Sequence, residues 1–360
     1  PEMAMAYFRG VAAEVRERLS QLGMRSLDEI IGAAELLKPR LEETGQQSFA
    51  DLLAPIIPSG TQSNGMLVDC KGVHQEIAAA LGRGNARPIK PIQLAITNSD
   101  RSIGAHLSGQ ILRRTEYSGL GKDKILCEFR GTAGQSFGAF LISGISFRLT
   151  GEANDYVGKS LSGGTIAITA GSDASQRGDV LAGNTILYGA TTGELYIAGR
   201  AGERFAVRNS GALAVVEGVG QHGCEYMTAG IVILLGRAGI NLGSGMTGGL
   251  VYALRKSLAA TDYNSEFVRP VEIEEPERAW LRQALMEHIR LTDSPKARRL
   301  LRYSSSSFLL VRLQPVRLPC TVAQTWEPIL ARWRKQKQRT IAMPAEHRAT
   351  SAQSINPIMQ

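Results

Sequence analysis

Cysteine is scarce and scattered: Cys70, Cys127, Cys224 and Cys320 stand far apart in 360 residues. That spacing offers neither a disulfide framework nor a Cys-x-x-Cys metal site, and it suits a reducing cytosol. The absence of any Asn-x-Ser/Thr sequon agrees. Long apolar runs are missing too. The most apolar stretch contains Ile231 to Leu235, far short of the roughly 20 residues that a membrane-spanning helix needs. No signal peptide is visible, and the chain starts at Pro1 rather than methionine, which reads as a processed or cut piece. Acids are short at one end. From Arg290 to Arg348, 13 Lys/Arg meet only Asp293, Glu327 and Glu346, so this segment carries about +10 of a net charge of +8 and the remainder about −2. The charge therefore belongs to the tail, as a solvated helix and a loose end that include Arg332-Trp333-Arg334-Lys335-Gln336-Lys337. A nucleic-acid surface would want aromatics on a platform or a recognisable motif, and Trp326 and Trp333 alone make neither.

Glycine is what the chain has in quantity, 39 in all, and its placement is periodic. Gly163, Gly183, Gly193, Gly211, Gly230 and Gly249 each precede short apolar runs, at steps of about 20, 10, 18, 19 and 19. A period near twenty with short strands is a solenoid signature, with the Gly193 run as a second strand within one turn. Runs such as Thr165-Ile166-Ala167-Ile168 and Ile231-Val232-Ile233-Leu234 are β-branched and too short for amphipathic helices. Glycines at the corners supply backbone angles that a Cβ reaches only with strain. One coil could not stand alone. Its two or three inward aliphatics give roughly 1.5–3 kcal/mol each, against about 1–2 kcal/mol per residue for ordering the backbone. Stacked coils about 4.8 Å apart share one core. The expected fold is mainly β, a parallel β-helix flanked by short α-helices.

The flanks read as follows. Residues 1–38 hold two short helices: one with Phe8, Val11, Val15, Leu19 and Leu22 at helical spacing, and one opened by the capping box Ser26-Leu27-Asp28-Glu29. Residues 39–93 form a linker with one helix around His74 to Leu81, and residues 94–256 the β-helix. Residues 257–303 carry an amphipathic helix, Glu277 to Leu291, and a second helix with Ser294 as N-cap and Pro295 at its first position. Residues 304–360 read as a basic, poorly ordered tail.

Two catalytic-looking motifs fail on context. Gly134-Gln135-Ser136-Phe137-Gly138 has the nucleophile-elbow spelling, with Asp155 and His222 following, but an elbow needs a helix after it and here a strand pattern follows. Gly243-Ser244-Gly245-Met246-Thr247-Gly248 spells a dinucleotide fingerprint, and again a strand pattern follows. His222 and Cys224 could hold a metal only if distant coils supplied further ligands. Polar groups at solenoid corners ordinarily satisfy exposed backbone. The alternative is a docking surface made by Asn154, Asp155, Tyr156, Arg208, Asn209, His222 and Glu225.

Several long strings carry a resemblance. Phe129 to Phe140, Gly151 to Lys159, Gly199 to Gly211 and His222-Gly223-Cys224-Glu225-Tyr226-Met227-Thr228 closely resemble the C-terminal domain of the glutamate synthase large subunit. The likeness extends to Asn98-Ser99-Asp100-Arg101, Ala279-Trp280-Leu281-Arg282 and Ser294 to Arg299. It also takes in Tyr7 to Leu37, which looks like the end of that family's flavin barrel. The resemblance implies a right-handed parallel β-helix packed against a glutaminase domain and an FMN barrel, in a cytoplasmic oxidoreductase of ammonia assimilation. That enzyme moves ammonia from glutamine to 2-oxoglutarate and reduces the product to glutamate. FMN and an iron–sulfur cluster are implied in the partner domains and no cofactor in this chain. None of the family's catalytic residues maps onto this sequence, so the expected role is structural. An independent, non-catalytic β-helix interaction module is the alternative.

Overall fold

A computed structural model describes residues 2–31, 33, 36–37, 91–115, 120, 125–170, 180–302, 310–316 and 322–341. The chain divides into two compact units, residues 1–65 and 66–360.

In the first unit, α1 (Glu2–Gln21) follows the expected apolar spacing. Among the described residues the capping box opens a 3-10 turn, Leu27–Glu29, rather than an α-helix, and Ser26 makes no side-chain cap. Glu29 accepts the Arg25 N–H (3.2 Å), one residue before the expected N-cap, so neither bond of the box is the one that closes. Residues 38–90 lie outside the described residues, and with them the helix expected around His74 and most of the linker. The last linker residues already belong to a strand.

The second unit is a β-solenoid of about six turns. Its main sheet runs in the order β1 (Ile92–Ile96), β2 (Ile125–Ala133), β3 (Ile145–Ala153), β4 (Ser162–Thr169), β6 (Thr192–Ile197), β8 (Ser210–Val216), β9 (Ala229–Leu234) and β10 (Leu250–Leu254), all parallel. The short strands β5 (Val180–Ala182) and β7 (Arg200–Ala201) continue a side ladder from β3. The helix α2 (Ala105–Arg114) lies between β1 and β2 in sequence, and buries Leu107 and Ile111 in the solenoid core.

Register fixes which side chains meet. Cys127, Phe147, Ile166, Leu195, Ala214, Val232 and Val251 form one row across the sheet. That row points into the solenoid core. The adjacent row, Glu128, Arg148, Ala167, Tyr196, Val215, Ile233 and Tyr252, points outward. From Ala167 onward this outer row is buried in a second apolar cluster. The cover consists of α3 (Glu277–Thr292), α4 (Pro295–Arg302), and a C-terminal helix, α5 (Val322–Ile341). The Ser294 hydroxyl accepts the Ala297 N–H at 3.0 Å and so caps α4.

The expectation of a poorly ordered tail from residue 304 is corrected for its described parts. β12 (Leu310–Pro315) pairs antiparallel with β10 and with β11 (Val268–Val271), ending the parallel sheet. In α5, Trp326 and Trp333 are buried, and the Trp326 indole donates to the Tyr252 hydroxyl (2.9 Å). That hydroxyl donates to Glu277 Oε1 (2.8 Å), while Arg312 on β12 donates to Glu277 Oε2 (2.5 Å). The Glu274 N–H adds a third bond to the same carboxylate, at 2.9 Å. A buried charge pair persists only when its remaining lone pairs are met in this way. Local composition reads as a solvated tail because its partners lie 35 to 74 residues away.

The glycine corners also need correction. Gly193, Gly211 and Gly230 are the second residues of β6, β8 and β9, so the Gly193 run belongs to the main sheet and is no second strand. The run after Gly183 is not a strand: Thr185 and Leu187 adopt left-handed angles, φ 60° and 59°. Gly163, Gly193, Gly230 and Gly249 have positive φ, whereas Gly183 and Gly211 do not. Those two are glycine because of close approach. A Cβ on Gly211 would stand 2.2 Å from the Thr191 carbonyl oxygen, and one on Gly183 2.2 Å from Asp155 Oδ1.

Candidate interaction surface

Each coil carries one segment whose backbone alternates in handedness. Residues 136, 138 and 140 have φ of 65°, 69° and 58°, and the same alternation recurs at 156, 158 and 160, at 185, 187 and 189, at 204, 206 and 208, at 222, 224 and 226, and at 241, 243 and 245. Many are not glycine: Arg204, Ala206 and Arg208 all sit near 57°. Each such residue costs roughly 1–3 kcal/mol and persists only when its surroundings over-determine it. Stacking does so here. The first N–H of a segment donates to the next coil, as Ser136 to the Asp155 oxygen (2.9 Å) and Arg204 to that of Gln221 (2.8 Å). The middle N–H donates to the preceding coil, as Ala206 to Ile186 (2.7 Å) and Cys224 to Phe205 (2.6 Å). Between these positions Phe137, Val157, Ile186, Phe205 and Leu242 are buried in the core.

This backbone explains the false motifs. The positive φ of Ser136 belongs to its place in the coil, which Tyr156, Thr185, Arg204, His222 and Asn241 occupy in the others. Four rungs separate Ser136 from His222, about 19 Å, so the two cannot share a proton. Gly243 to Gly248 is likewise the turn of the sixth coil, followed by β10 rather than a helix. Cys224 is buried, and burial pushes its thiol up to about 12, which makes it inert.

The candidate docking residues divide in two. Asn209 is fully buried: its Oδ1 accepts the N–H groups of Gly211 (3.1 Å) and Ala212 (2.9 Å), and its Nδ2 donates to the Ala212 oxygen (3.0 Å). It closes the corner before β8 and offers nothing to a partner. Asp155 accepts the Asn184 N–H through Oδ1 (2.7 Å), and the Asn154 N–H is taken by the Ala133 oxygen (2.9 Å). Both are half-buried and serve the coil stack. His222 and Glu225 join through Nδ1 and Oε1 at 2.7 Å, and Asn241 and Asn264 extend this polar cluster to the cap of the last coil. Tyr156 and Arg208 are exposed, with the Lys159 ammonium 5.5 Å from the Tyr156 ring centroid.

Two residues escaped the sequence reading. Phe140 and Tyr226 occupy the same coil position as Arg208 and are 51% and 58% exposed. Aligning the coils on their turns would have found them; aligning on the glycines before strands did not. The face therefore presents Phe140, Tyr156, Arg204, Arg208 and Tyr226, and aromatics with arginine are the types that carry most binding energy at protein interfaces. The arrangement defines a β-solenoid with an exposed face of aromatics and arginines. Among the described residues, no group of three or more His, Cys, Asp and Glu could hold a metal ion.

Comparison with known proteins places this solenoid. The GXGXG motif family matches residues 71–314, and the chain belongs to that family. It is related to the C-terminal region of glutamate synthase large chains. The ferredoxin-dependent glutamate synthase of Pyropia yezoensis is 44% identical over 279 residues, covering 75% of this chain and 18% of that protein. The enzyme of the same description from Cyanidium caldarium is 41% identical, over 82% of this chain and 20% of its own length. The glutamate synthase [NADPH] large chain of Bacillus subtilis is 38% identical, over 84% and 21%. The chain thus spans about a fifth of the length of these relatives. No described helix is long and apolar enough to cross a membrane.

Proposed function

We propose that this chain is the non-catalytic β-helix portion of a glutamate synthase, bracing a glutaminase domain and an FMN barrel during glutamine-dependent conversion of 2-oxoglutarate to glutamate. One observation carries this reading. Relatives described as ferredoxin-dependent, NADPH-dependent and NADH-dependent share this region at 41%, 38% and 39% identity. A part that is equally similar whatever the electron donor serves a step common to all, and holding the catalytic domains together is such a step. FMN and the iron–sulfur cluster then belong to the partner domains, and the chain works in the cytosol. The α1 stripe agrees, since Phe8 is 69% and Val11 43% exposed, an apolar face suited to lie against a barrel.

Reconstitution tests it. The glutaminase and barrel domains, purified separately, should gain glutamine-dependent glutamate formation when this chain is added, and Phe8→Asp with Val11→Asp should reduce the gain. Unchanged turnover with no complex would contradict the reading. The second reading, an independent interaction module, is favoured by the exposed Phe140, Arg208 and Tyr226, and predicts a stable chain that ignores those domains.

A further inference from the structure

On a different edge of the solenoid, where the strands end, basic residues gather. Ile197, Leu234 and Ala253 lie in one row of the sheet. Three residues beyond each comes a cation: Arg200, Arg237 and Lys256, all exposed. Gly218 sits among them, since a Cβ there would stand 3.1 Å from Arg200 Cγ and 3.2 Å from the Arg237 oxygen. Lys296 of α4 closes over the same corner and donates to the Glu217 carbonyl oxygen at 3.1 Å. Burial lowers the Lys296 pKa, and the charges of Arg299, Lys256 and Arg200 lower it further against the pull of Glu217. The Glu217 carboxylate is already engaged by the Ser294 hydroxyl and lies 3.7 Å from His288. Nearby Arg255 and Arg298 are neutralised by Glu272 and Asp293, whereas no acid pairs with Arg200, Arg237, Lys256 or Arg299 among the described residues.

We propose that Arg200, Arg237, Lys256 and Arg299, gathered around Lys296, dock a carboxylate-rich protein segment. Arg200 and Lys256 are three rungs apart, about 14 Å. That span exceeds what one phosphate or one small carboxylate bridges, and suits an extended segment bearing several acids. A single-stranded nucleic acid would need aromatic stacking platforms, and these five residues include none. The inference goes beyond the proposed function and does not depend on it.

Titration of the full chain with a ten-residue glutamate peptide, at low ionic strength, tests the site. The expected result is binding that weakens as salt rises, and weakens roughly tenfold in the triple variant Arg200→Ser, Arg237→Ser, Lys256→Ser. The variant Arg9→Ser, Arg16→Ser, Arg25→Ser removes the same charge from α1 and its following turn, and should bind as the wild type does. Equal losses in the two variants would mean that net charge alone attracts the peptide, and would overturn the site. So would an absence of binding, tighter binding of a thymidylate decamer, or equal affinity for inorganic phosphate. Circular dichroism and the melting temperature of each variant separate a lost site from a lost fold.

Discussion

The first coils and the last coils use the same strands differently. In β2 and β3, buried and half-exposed residues alternate, and the outer row carries Glu128 and Arg148, which pair at 3.5 Å. In β9 and β10 nearly every residue is buried, and the outer row has become Ile233 and Tyr252. The inner row hardly changes. The difference lies in the cover: α3, α4 and α5 pack over the later coils. A parallel sheet buried on both faces reads as a continuous apolar run, and one with a wet face alternates. The runs Ile231 to Leu234 and Leu250 to Leu254 therefore announced a second layer that the tail composition concealed.

The comparison can be broken most forcefully at its buried charge pair. Arg312→Ala leaves the Glu277 carboxylate, 2% exposed, without its cation. The expected cost is about 3–5 kcal/mol by chemical denaturation, and a loss under about 1 kcal/mol would mean that water reaches the site. Within the outer row itself, Ile233→Ala should cost about 2–5 kcal/mol. Arg148→Ala, at the equivalent position of an uncovered coil, should change stability by at most about 1 kcal/mol. Equal effects would remove the distinction between covered and uncovered coils. Gly211→Val should cost about 1–3 kcal/mol through the Thr191 carbonyl, and an unshifted melting temperature would show that the coils can spread apart at that corner.

A smaller effect concerns pH under the cover. Burial lowers the His288 pKa, and Glu217 only partly restores it. The unfolded imidazole titrates near its usual value of about 6.5. Below that pH the unfolded state binds a proton that the folded state refuses, so stability falls as pH drops from about 6.5. Melting curves of the wild type should decline between neutral and mildly acidic pH more steeply than those of His288→Gln. Parallel curves would mean that His288 binds its proton equally in the folded and unfolded chain.

Much of the solenoid was legible because its signal is local: short β-branched runs, glycine and a fixed step. What escaped depends on other coils or distant residues. The left-handed turns are spelled by Ser136, Arg204 or His222 as readily as by glycine, because neighbouring coils, rather than the residue itself, hold those angles. Asn209 looked like a surface residue because its partners, Gly211 and Ala212, are backbone groups that no composition reveals. Trp326 and Arg312 looked solvated because Tyr252 and Glu277 are remote in sequence. The exposed face of the turns was half visible, through Tyr156 and Arg208, and incomplete until Phe140 and Tyr226 aligned with them by coil position.

Sedimentation velocity of this chain mixed with separately purified glutaminase and FMN-barrel domains tests the central claim most directly. A stoichiometric complex, lost with Phe8→Asp and Val11→Asp, is the result expected of a bracing domain. Independent sedimentation of every component, with this chain folded and monodisperse, would contradict it.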